Sequence, residues 1–75
     1  MEDYKDKYDE LISKGYLINL FEEDRNYEIT GRFHAFCVSI SKNGKTVLNH
    51  FSRKSYREAL IIANELLEIR HRYVK

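Results

Sequence analysis

Cys37 and His50 are a pair of residues in this sequence whose side-chain types could support covalent catalysis. A cysteine thiol beside a histidine imidazole can act as a nucleophile with its general base. We expect the two side chains to face each other across a β-hairpin that turns at Asn43-Gly44. Acyl transfer also requires a group that orients the histidine and donors that stabilise an oxyanion, and the sequence indicates neither. We therefore predict no enzymatic activity and no catalytic residue.

The histidines and the cysteine also lack the spacing of a metal site. Zinc sites are typically built from close pairs such as C-x-x-C or H-x₃₋₅-H, and no such pair occurs among His34, Cys37, His50 and His71. His34 is moreover predicted to lie on the opposite face of its strand from Cys37. The three glycines are scattered, so no glycine-rich loop can cradle a phosphate. We expect neither a metal nor a cofactor.

Aromatic and arginine side chains offer a different chemistry, that of protein recognition. Tyrosine and arginine are enriched among the residues that dominate binding energy at protein interfaces. Arg25, Tyr27, Arg32 and Phe33 lie close together along the chain, and we expect them to form a docking patch. Ile61 is a further candidate, because helical periodicity places it on the solvent side of the C-terminal helix. Basic residues interleaved with aromatic ones are also compatible with binding of single-stranded nucleic acid.

The composition is that of one small domain close to charge neutrality. Seventy-five residues predict a single domain spanning 1–75. Thirteen basic and 12 acidic residues give a net charge of +1, whereas domains that bind duplex nucleic acid are usually far more basic. Cys37 is the only cysteine, which excludes an intrachain disulfide and favours a reducing, cytoplasmic compartment. The charged first residues and a longest apolar run of only 59–63 predict neither a signal peptide nor a membrane contact.

Hydrophobic spacing predicts the elements in the first half of the chain. Apolar residues recur at helical spacing over 3–14, and Gly15 is placed to end that helix. The apolar segment 16–21 predicts a strand. The charged segment 22–26 predicts a solvated turn, and 27–30 predicts a second short strand.

The hairpin is the strongest local prediction. Asn43 and Gly44 both tolerate the positive φ that a type I′ turn requires. The turn predicts a register of directly opposed residues: Lys42 with Lys45, Ile40 with Val47, Val38 with Asn49 and Phe36 with Phe51. Alternation along the strands then puts the last three pairs on an apolar, core-facing side, and Cys37 and His50 on a wet side.

A long helix is predicted to follow the hairpin. Ser55 and Glu58 have the spacing of a capping box, in which each side chain bonds the backbone amide of the other residue. From there to about Tyr73 a broad apolar arc recurs at helical spacing: Tyr56, Ala59, Leu60, Ile62, Ala63, Leu66, Leu67, Ile69 and Tyr73. The predicted fold is α+β in the order α-β-β-β-α. Its N-terminal and long C-terminal helices pack on one face of a small antiparallel sheet of about three strands.

This order of elements, together with short motifs, resembles the double-stranded RNA-binding domain. The Gly-Arg-Phe-His segment at 31–34 resembles the family's Gly-Pro-x-His loop, and Gly44 matches its hairpin glycine. The segment 55–59 resembles the start of the family's last helix. Three positions correspond to the family's phosphate-binding lysines, and they are occupied here by Tyr56, Arg57 and Leu60.

Two functions follow from these patterns. The missing catalytic set and the near-neutral charge favour a small non-catalytic regulatory or inhibitory module that docks on a protein. The abundance of Lys, Ile, Asn and Tyr resembles accessory proteins of AT-rich bacteria and their phages, which include inhibitors of the anti-defence type. The family resemblance implies the alternative, binding of duplex RNA or DNA through these residues: His34, Arg53, Lys54 and Arg57. Homodimerisation through a sheet edge or the Ile61 face is compatible with both.

Overall fold

Two helices flank a three-stranded sheet in the chain, as the sequence predicts. The computed structural model describes residues 4–29 and 31–73. Its elements are helix α1 at Lys5–Ser13, strands β1 at Leu17–Tyr27, β2 at Gly31–Lys42 and β3 at Lys45–Ser52, and helix α2 at Tyr56–Tyr73. The strands form one antiparallel sheet in the order β1-β2-β3. The α-β-β-β-α order of the predicted α+β fold is therefore confirmed.

The core lies between the two helices and one face of the sheet. Leu11 of α1, Val38 of β2 and Leu60 of α2 are buried in a single cluster. Ile18 and Leu20 of β1 pack against this cluster. Because side chains alternate along a strand, the even-numbered residues of β1 and β2 face the helices. Their odd-numbered residues lie on the opposite side, called here the open face because neither α1 nor α2 covers it.

Helix α1 ends at the predicted glycine. Gly15 has a φ of +92°, which a residue with a Cβ adopts only at a cost. The Gly15 amide donates to the carbonyl of Ile12 at 3.0 Å, and the Tyr16 amide donates to the carbonyl of Leu11 at 3.3 Å. These two bonds form a Schellman motif, which satisfies carbonyls that the last helical turn leaves unpaired.

Strand β1 is longer than predicted. The prediction of a turn at 22–26 is wrong, because these residues pair with 32–36 of β2 in a continuous ladder. The prediction of a separate strand at 27–30 is also wrong. Tyr27 is the last residue of β1, and Glu28 and Ile29 form a turn; residue 30 lies outside the described residues. Charged side chains fit this part of β1 because it is an exposed edge strand, whose ladder depends on backbone hydrogen bonds.

The turn of the β2–β3 hairpin is confirmed, but the register beyond it is not. Asn43 and Gly44 have φ values of +54° and +77°, and Lys42 pairs with Lys45. The register then shifts between Ile40 and Ser41, where a bulge in β3 adds one residue. Beyond the shift the observed pairs are these: Ile40 with Leu48, Ser39 with Asn49, Val38 with His50, Cys37 with Phe51 and Phe36 with Ser52.

The bulge has a clear physical reason. Val47 and Leu48 are consecutive apolar residues, and both are partly buried against the core. A regular strand would direct one of them away from the core, whereas a bulge lets neighbouring residues lie on one side. The shift moves Phe51 from the core side to the open face. It also separates Cys37 from His50, so the prediction that they face each other is wrong.

Helix α2 begins at Tyr56, and Ser55 caps it, one residue from the predicted start. The Ser55 hydroxyl accepts a hydrogen bond from the Glu58 amide at 3.1 Å, which confirms this half of the capping box. The Glu58 carboxylate accepts a hydrogen bond from the hydroxyl of Ser52 at 2.5 Å, and that hydroxyl accepts from the Lys54 amide at 3.0 Å. The end of β3 is thereby joined to the first turn of α2.

The apolar arc of α2 is only partly buried. Its buried side chains form a narrow strip: Ala59, Leu60, Ala63 and Leu67. The prediction was too broad, since Leu66 and Ile69 are exposed. A sheet of three strands and one short helix cannot cover half the circumference of an 18-residue helix. Neither helix, over the residues that the structure describes, is long and apolar enough to cross a membrane.

Ile61 is not on the solvent side of α2. It is half-buried and lies on a stripe with Arg57, Asn64 and Glu68, each about one turn from the next. All three of these neighbours bind α1 or the residue that follows it: Arg57 binds Asp6 of α1, while Asn64 and Glu68 both bind Lys14, directly after α1. The prediction of an exposed Ile61 fails because α1 packs along this stripe, a contact that the periodicity of α2 alone cannot reveal.

Candidate docking surface on the open sheet face

An aromatic and arginine-rich cluster covers one end of the open face. We call it the open-face cluster, and it consists of five residues: Arg25, Tyr27, Phe33, Phe51 and Arg53. The first two are odd-numbered residues near the end of β1, and Phe33 lies near the start of β2. Phe51 reaches the open face through the β3 bulge, and Arg53 directly follows β3. The three strands together therefore assemble residues that are up to 28 positions apart.

The rings and guanidinium groups of the cluster are stacked on one another. The Arg25 guanidinium carbon lies 4.3 Å from the centroid of the Phe51 ring, and the Arg53 carbon lies 4.4 Å from that of Phe33. The two phenylalanine rings are 5.9 Å apart with 22° between their planes. Tyr27 approaches Phe33 at 5.6 Å. These are the geometries of cation–π and aromatic pairing.

Arg25 is held in place by its neighbours on β1. Its Nε donates to the Glu23 carboxylate at 2.8 Å, and its Nη1 donates to the Tyr27 hydroxyl at 3.4 Å. Hydrogen bonds to the Tyr27 hydroxyl and to Glu23 raise the pKa of Arg25 above its already high ordinary value. The guanidinium is therefore a permanent cation in one orientation over Phe51.

Cys37 forms the floor beneath the cluster. The prediction that it lies on a wet surface is wrong, because only 2% of Cys37 is exposed. Its Sγ lies 3.8 Å from Nη2 of Arg25 and 3.9 Å from the Glu23 carboxylate. Ala35, the previous residue on this face, is fully buried as well. The open face therefore carries a small second core, which Arg25 and the aromatic rings shield from water.

A shallow trough of about 470 Å³ adjoins the cluster. Phe21 and Phe51, from the two edge strands, stand on either side of Cys37 in one row of the register. Asn19, Ser39 and Asn49 form the adjacent row. The trough thus combines apolar walls with amide groups that can donate and accept hydrogen bonds. This combination can hold an apolar side chain and bond the backbone beside it.

The residues predicted for protein docking divide between the open face and other surfaces. Arg25, Tyr27 and Phe33 come together in the open-face cluster. Arg32 is exposed but pairs with Asn26 at an even-numbered position, so it points away from the open face. Ile61 lies on α2 among residues that bind Asp6 and Lys14, and it is not part of the cluster. Sequence reasoning missed Phe51 because the regular hairpin register assigned it to the core.

The residues predicted for nucleic-acid binding do not form one basic surface. His34 lies between two carboxylates: its Nδ1 is 2.9 Å from Asp24, and its Nε2 is 2.5 Å from Glu22. Two hydrogen bonds raise the pKa of His34: the larger contribution comes from Asp24 and the smaller from Glu22. His34 also lies on the opposite face of β2 from Cys37, as predicted.

The remaining basic candidates surround the start of α2. Arg57 donates to the Asp6 carboxylate at 2.8 Å, and this bond lowers the pKa of Asp6. Arg53 belongs to the open-face cluster, and Lys54 is exposed beside it. No carboxylate within residues 4–29 and 31–73 is close enough to form an ion pair with Arg53. Its guanidinium can therefore bind an acidic group of another molecule.

The described part of the chain contains no group of three or more histidine, cysteine or acidic side chains arranged to hold a metal ion. Comparison with known proteins adds no assignment. No protein-family description, curated protein or solved structure matches the chain. The resemblance to the double-stranded RNA-binding domain thus stays a prediction, and a proposal of function depends on the geometry of the open face.

Proposed function

We propose that this protein is a small, non-catalytic regulatory or inhibitory module that docks on a partner protein through its open face. The observation that carries the proposal is the stacking of Arg25 on Phe51 and of Arg53 on Phe33. Side chains of these two types are enriched at the energetic centres of protein interfaces. A sheet face without helices brings them to the surface instead of the core.

The ordering of the cluster supports this proposal. A binding surface that is fixed before association loses less side-chain entropy on binding. Arg25 has hydrogen-bond partners on both sides, Glu23 and Tyr27. Phe33 contacts both another ring and a guanidinium group. Most of the cost of ordering these large side chains is therefore already met by folding.

The open face also suggests the chemistry of its partner. An apolar side chain of the partner fits the trough between Phe21 and Phe51. Asn19 and Asn49, in the adjacent row of the trough, can bond the backbone beside that side chain. A carboxylate at one end of the partner segment would bind Arg53. The proposed ligand is thus an apolar protein segment flanked by an acidic residue.

Nucleic acid is the alternative partner, since Arg53 and Lys54 are adjacent basic residues at the start of α2. Two of the four candidates for that function, His34 and Arg57, already bind carboxylates in the folded chain. These contacts reduce the positive potential that a phosphate backbone would meet. Binding to nucleic acid would weaken steeply as the salt concentration rises, and this salt dependence distinguishes a nucleic-acid partner from a protein partner.

Affinity capture from the native host tests the proposal. The tagged full chain, Tyr27→Ala and Ile69→Ala would be used in parallel, with and without nuclease. Tyr27 and Ile69 are both 49% exposed, but Ile69 lies on α2. We expect a specific protein that survives nuclease and is lost with Tyr27→Ala but retained with Ile69→Ala. Capture that nuclease abolishes, or that both variants reduce equally, would contradict docking at the open face.

A further inference from the structure

The two edges of the sheet are protected to different degrees. On β3, the bulge at Val47 interrupts the ladder, and a guanidinium nitrogen of Arg70 donates to the Val47 carbonyl. Bulges and basic side chains are devices by which proteins block edge-to-edge pairing. The β1 edge is 11 residues long, and its register with β2 contains no shift. Nothing comparable guards its first half, residues 17–21.

The unguarded half of β1 exposes apolar side chains. Leu17 is 65% exposed, and Phe21 is also exposed, both on the open face. On the helix side, Ile18 and Leu20 line a groove beneath Tyr8 of α1. Apolar residues therefore border this edge on both faces of the sheet.

We infer that two copies of the chain associate through their β1 edges, so that two three-stranded sheets join into one antiparallel sheet. The inferred register places Asn19 opposite Asn19 of the second copy, on a two-fold axis. Leu17 then lies opposite Phe21, and Ile18 opposite Leu20. The same patch serves both copies, as a two-fold interface requires. Each apolar residue of one edge meets an apolar residue of the other.

Charge selects this register over its neighbours. The second half of β1 contains Glu22, Glu23 and Asp24. A two-fold axis at these residues would place like charges directly opposite each other, which is destabilising. With the axis at Asn19, continuing the same register brings Asp24 of one copy close to Lys14 of the second copy. Lys42 lies nearby, over the Tyr16 ring at 5.0 Å. The acidic half of each β1 thus approaches the basic end of the other copy.

The helices extend the same interface. An antiparallel pairing around a two-fold axis perpendicular to the sheet puts the helices of both copies on one side. Tyr8 of α1 lines the groove at Ile18 and Leu20, and Ile12, one turn later on α1, is exposed. The two α1 helices would meet across the axis through these residues. A chain of only 75 residues buries a small core, so this added burial would stabilise it.

Sedimentation at increasing protein concentration tests the association. We expect a species of twice the 9.0 kDa chain mass, and its loss in Leu17→Glu, which places two buried carboxylates in the interface. Ile69→Glu changes a matched apolar residue on α2 and is expected to leave the dimer intact. A native chain that remains a monomer at every concentration would overturn the inference. Loss of the dimer in Ile69→Glu as well as in Leu17→Glu would also overturn it.

Cross-linking tests the register, and it does not depend on the glutamate variant folding. In a Cys37→Ala background, Asn19→Cys gives each copy one cysteine, and the Cα atoms of the two cysteines lie about 5 Å apart across the axis. In Leu17→Cys the two cysteines are offset by four residues along the paired strands, so their Cα atoms lie about 14 Å apart. A bis-maleimide shorter than that separation should link Asn19→Cys into dimers and leave Leu17→Cys unlinked. Equal linking of both variants, or linking of Leu17→Cys alone, would overturn the register.

Discussion

The guanidinium group of Arg25 on β1 lies 4.3 Å above the ring of Phe51 on β3, spanning the central strand. The contact exists because the bulge at Val47 moves Phe51 onto the open face. It covers Cys37, which would otherwise be a polarisable side chain in water on a face without helices. One bulge thus creates both a second small core and the surface that we propose for docking.

Removing this guanidinium is expected to expose the thiol beneath it. Arg25→Met should raise the rate at which an aromatic disulfide reagent labels Cys37 in the folded protein. It should also lower the free energy of unfolding by about 1 kcal/mol, the typical size of a partly desolvated cation–π contact. Urea unfolding and labelling kinetics measure the two effects. Arg32→Met, which changes an exposed arginine off the open face, is the control; equal labelling in both variants would refute the covering role of Arg25.

The cap of α2 predicts a defined loss of stability. Ser55→Ala removes the hydroxyl that accepts from the Glu58 amide, and we expect the free energy of unfolding to fall by about 1 kcal/mol. Ser13→Ala is the control, since its hydroxyl bonds a carbonyl at the exposed end of α1. Chemical denaturation of the two variants checks this. A loss as large in Ser13→Ala would argue against a specific role for the cap.

Gly15 predicts a conformational cost without a steric one. A Cβ at this position would have its nearest neighbour, Cε of Lys42, at 3.8 Å, which is an ordinary contact. Its φ of +92° is nevertheless unfavourable for alanine. Gly15→Ala should therefore destabilise the protein by about 1–2 kcal/mol, and Gly15→Asn by less, because asparagine tolerates left-handed conformations better. Thermal and urea unfolding of the pair would show this order; the reverse order would contradict it.

His34 predicts a pH dependence of stability. Hydrogen bonds to Asp24 and Glu22 raise its pKa in the folded chain above the ordinary value of 6.5. Folding therefore favours the protonated imidazole, and the stabilisation is fully present below pH 6.5 while the carboxylates remain ionised. It is lost as the pH rises through the raised pKa of His34.

An NMR titration of the imidazole and urea unfolding at several pH values would measure this contribution. His34→Gln should remove the part of the pH dependence that His34 causes, while His71→Gln should retain it. A titration of His34 at or below 6.5 would contradict the raised pKa. Both histidine variants behaving alike would show that the pH dependence has another origin.

Features determined by a few neighbouring residues could be predicted from the sequence. Gly15 ends α1, Asn43-Gly44 forms the tight turn, and Ser55 caps α2, because each depends on the conformational preference of one or two residues. The α-β-β-β-α order followed from these local signals and from hydrophobic spacing. The predicted neighbours Arg25, Tyr27 and Phe33 also come together in the structure.

Features that depend on packing between distant segments could not be predicted in the same way. A regular register put Phe51 in the core, although the consecutive apolar pair Val47-Leu48 was a signal for the bulge. Ile61 was placed in solvent because helical periodicity does not indicate where α1 packs. The charge of segment 22–26 predicts a turn. The prediction fails because an edge strand needs no apolar residues when its partner strand completes the ladder.

The dissociation constant of the captured partner, measured by calorimetry for the native chain, Tyr27→Ala and Ile69→Ala, tests docking at the open face most directly. The two substituted side chains are equally exposed in the free protein, so general effects on the surface should be similar. We predict that Tyr27→Ala raises the dissociation constant about tenfold or more, as truncation of an interface hot spot does, while Ile69→Ala leaves it unchanged. An unchanged constant for Tyr27→Ala, or an equal rise for both variants, would contradict the proposal.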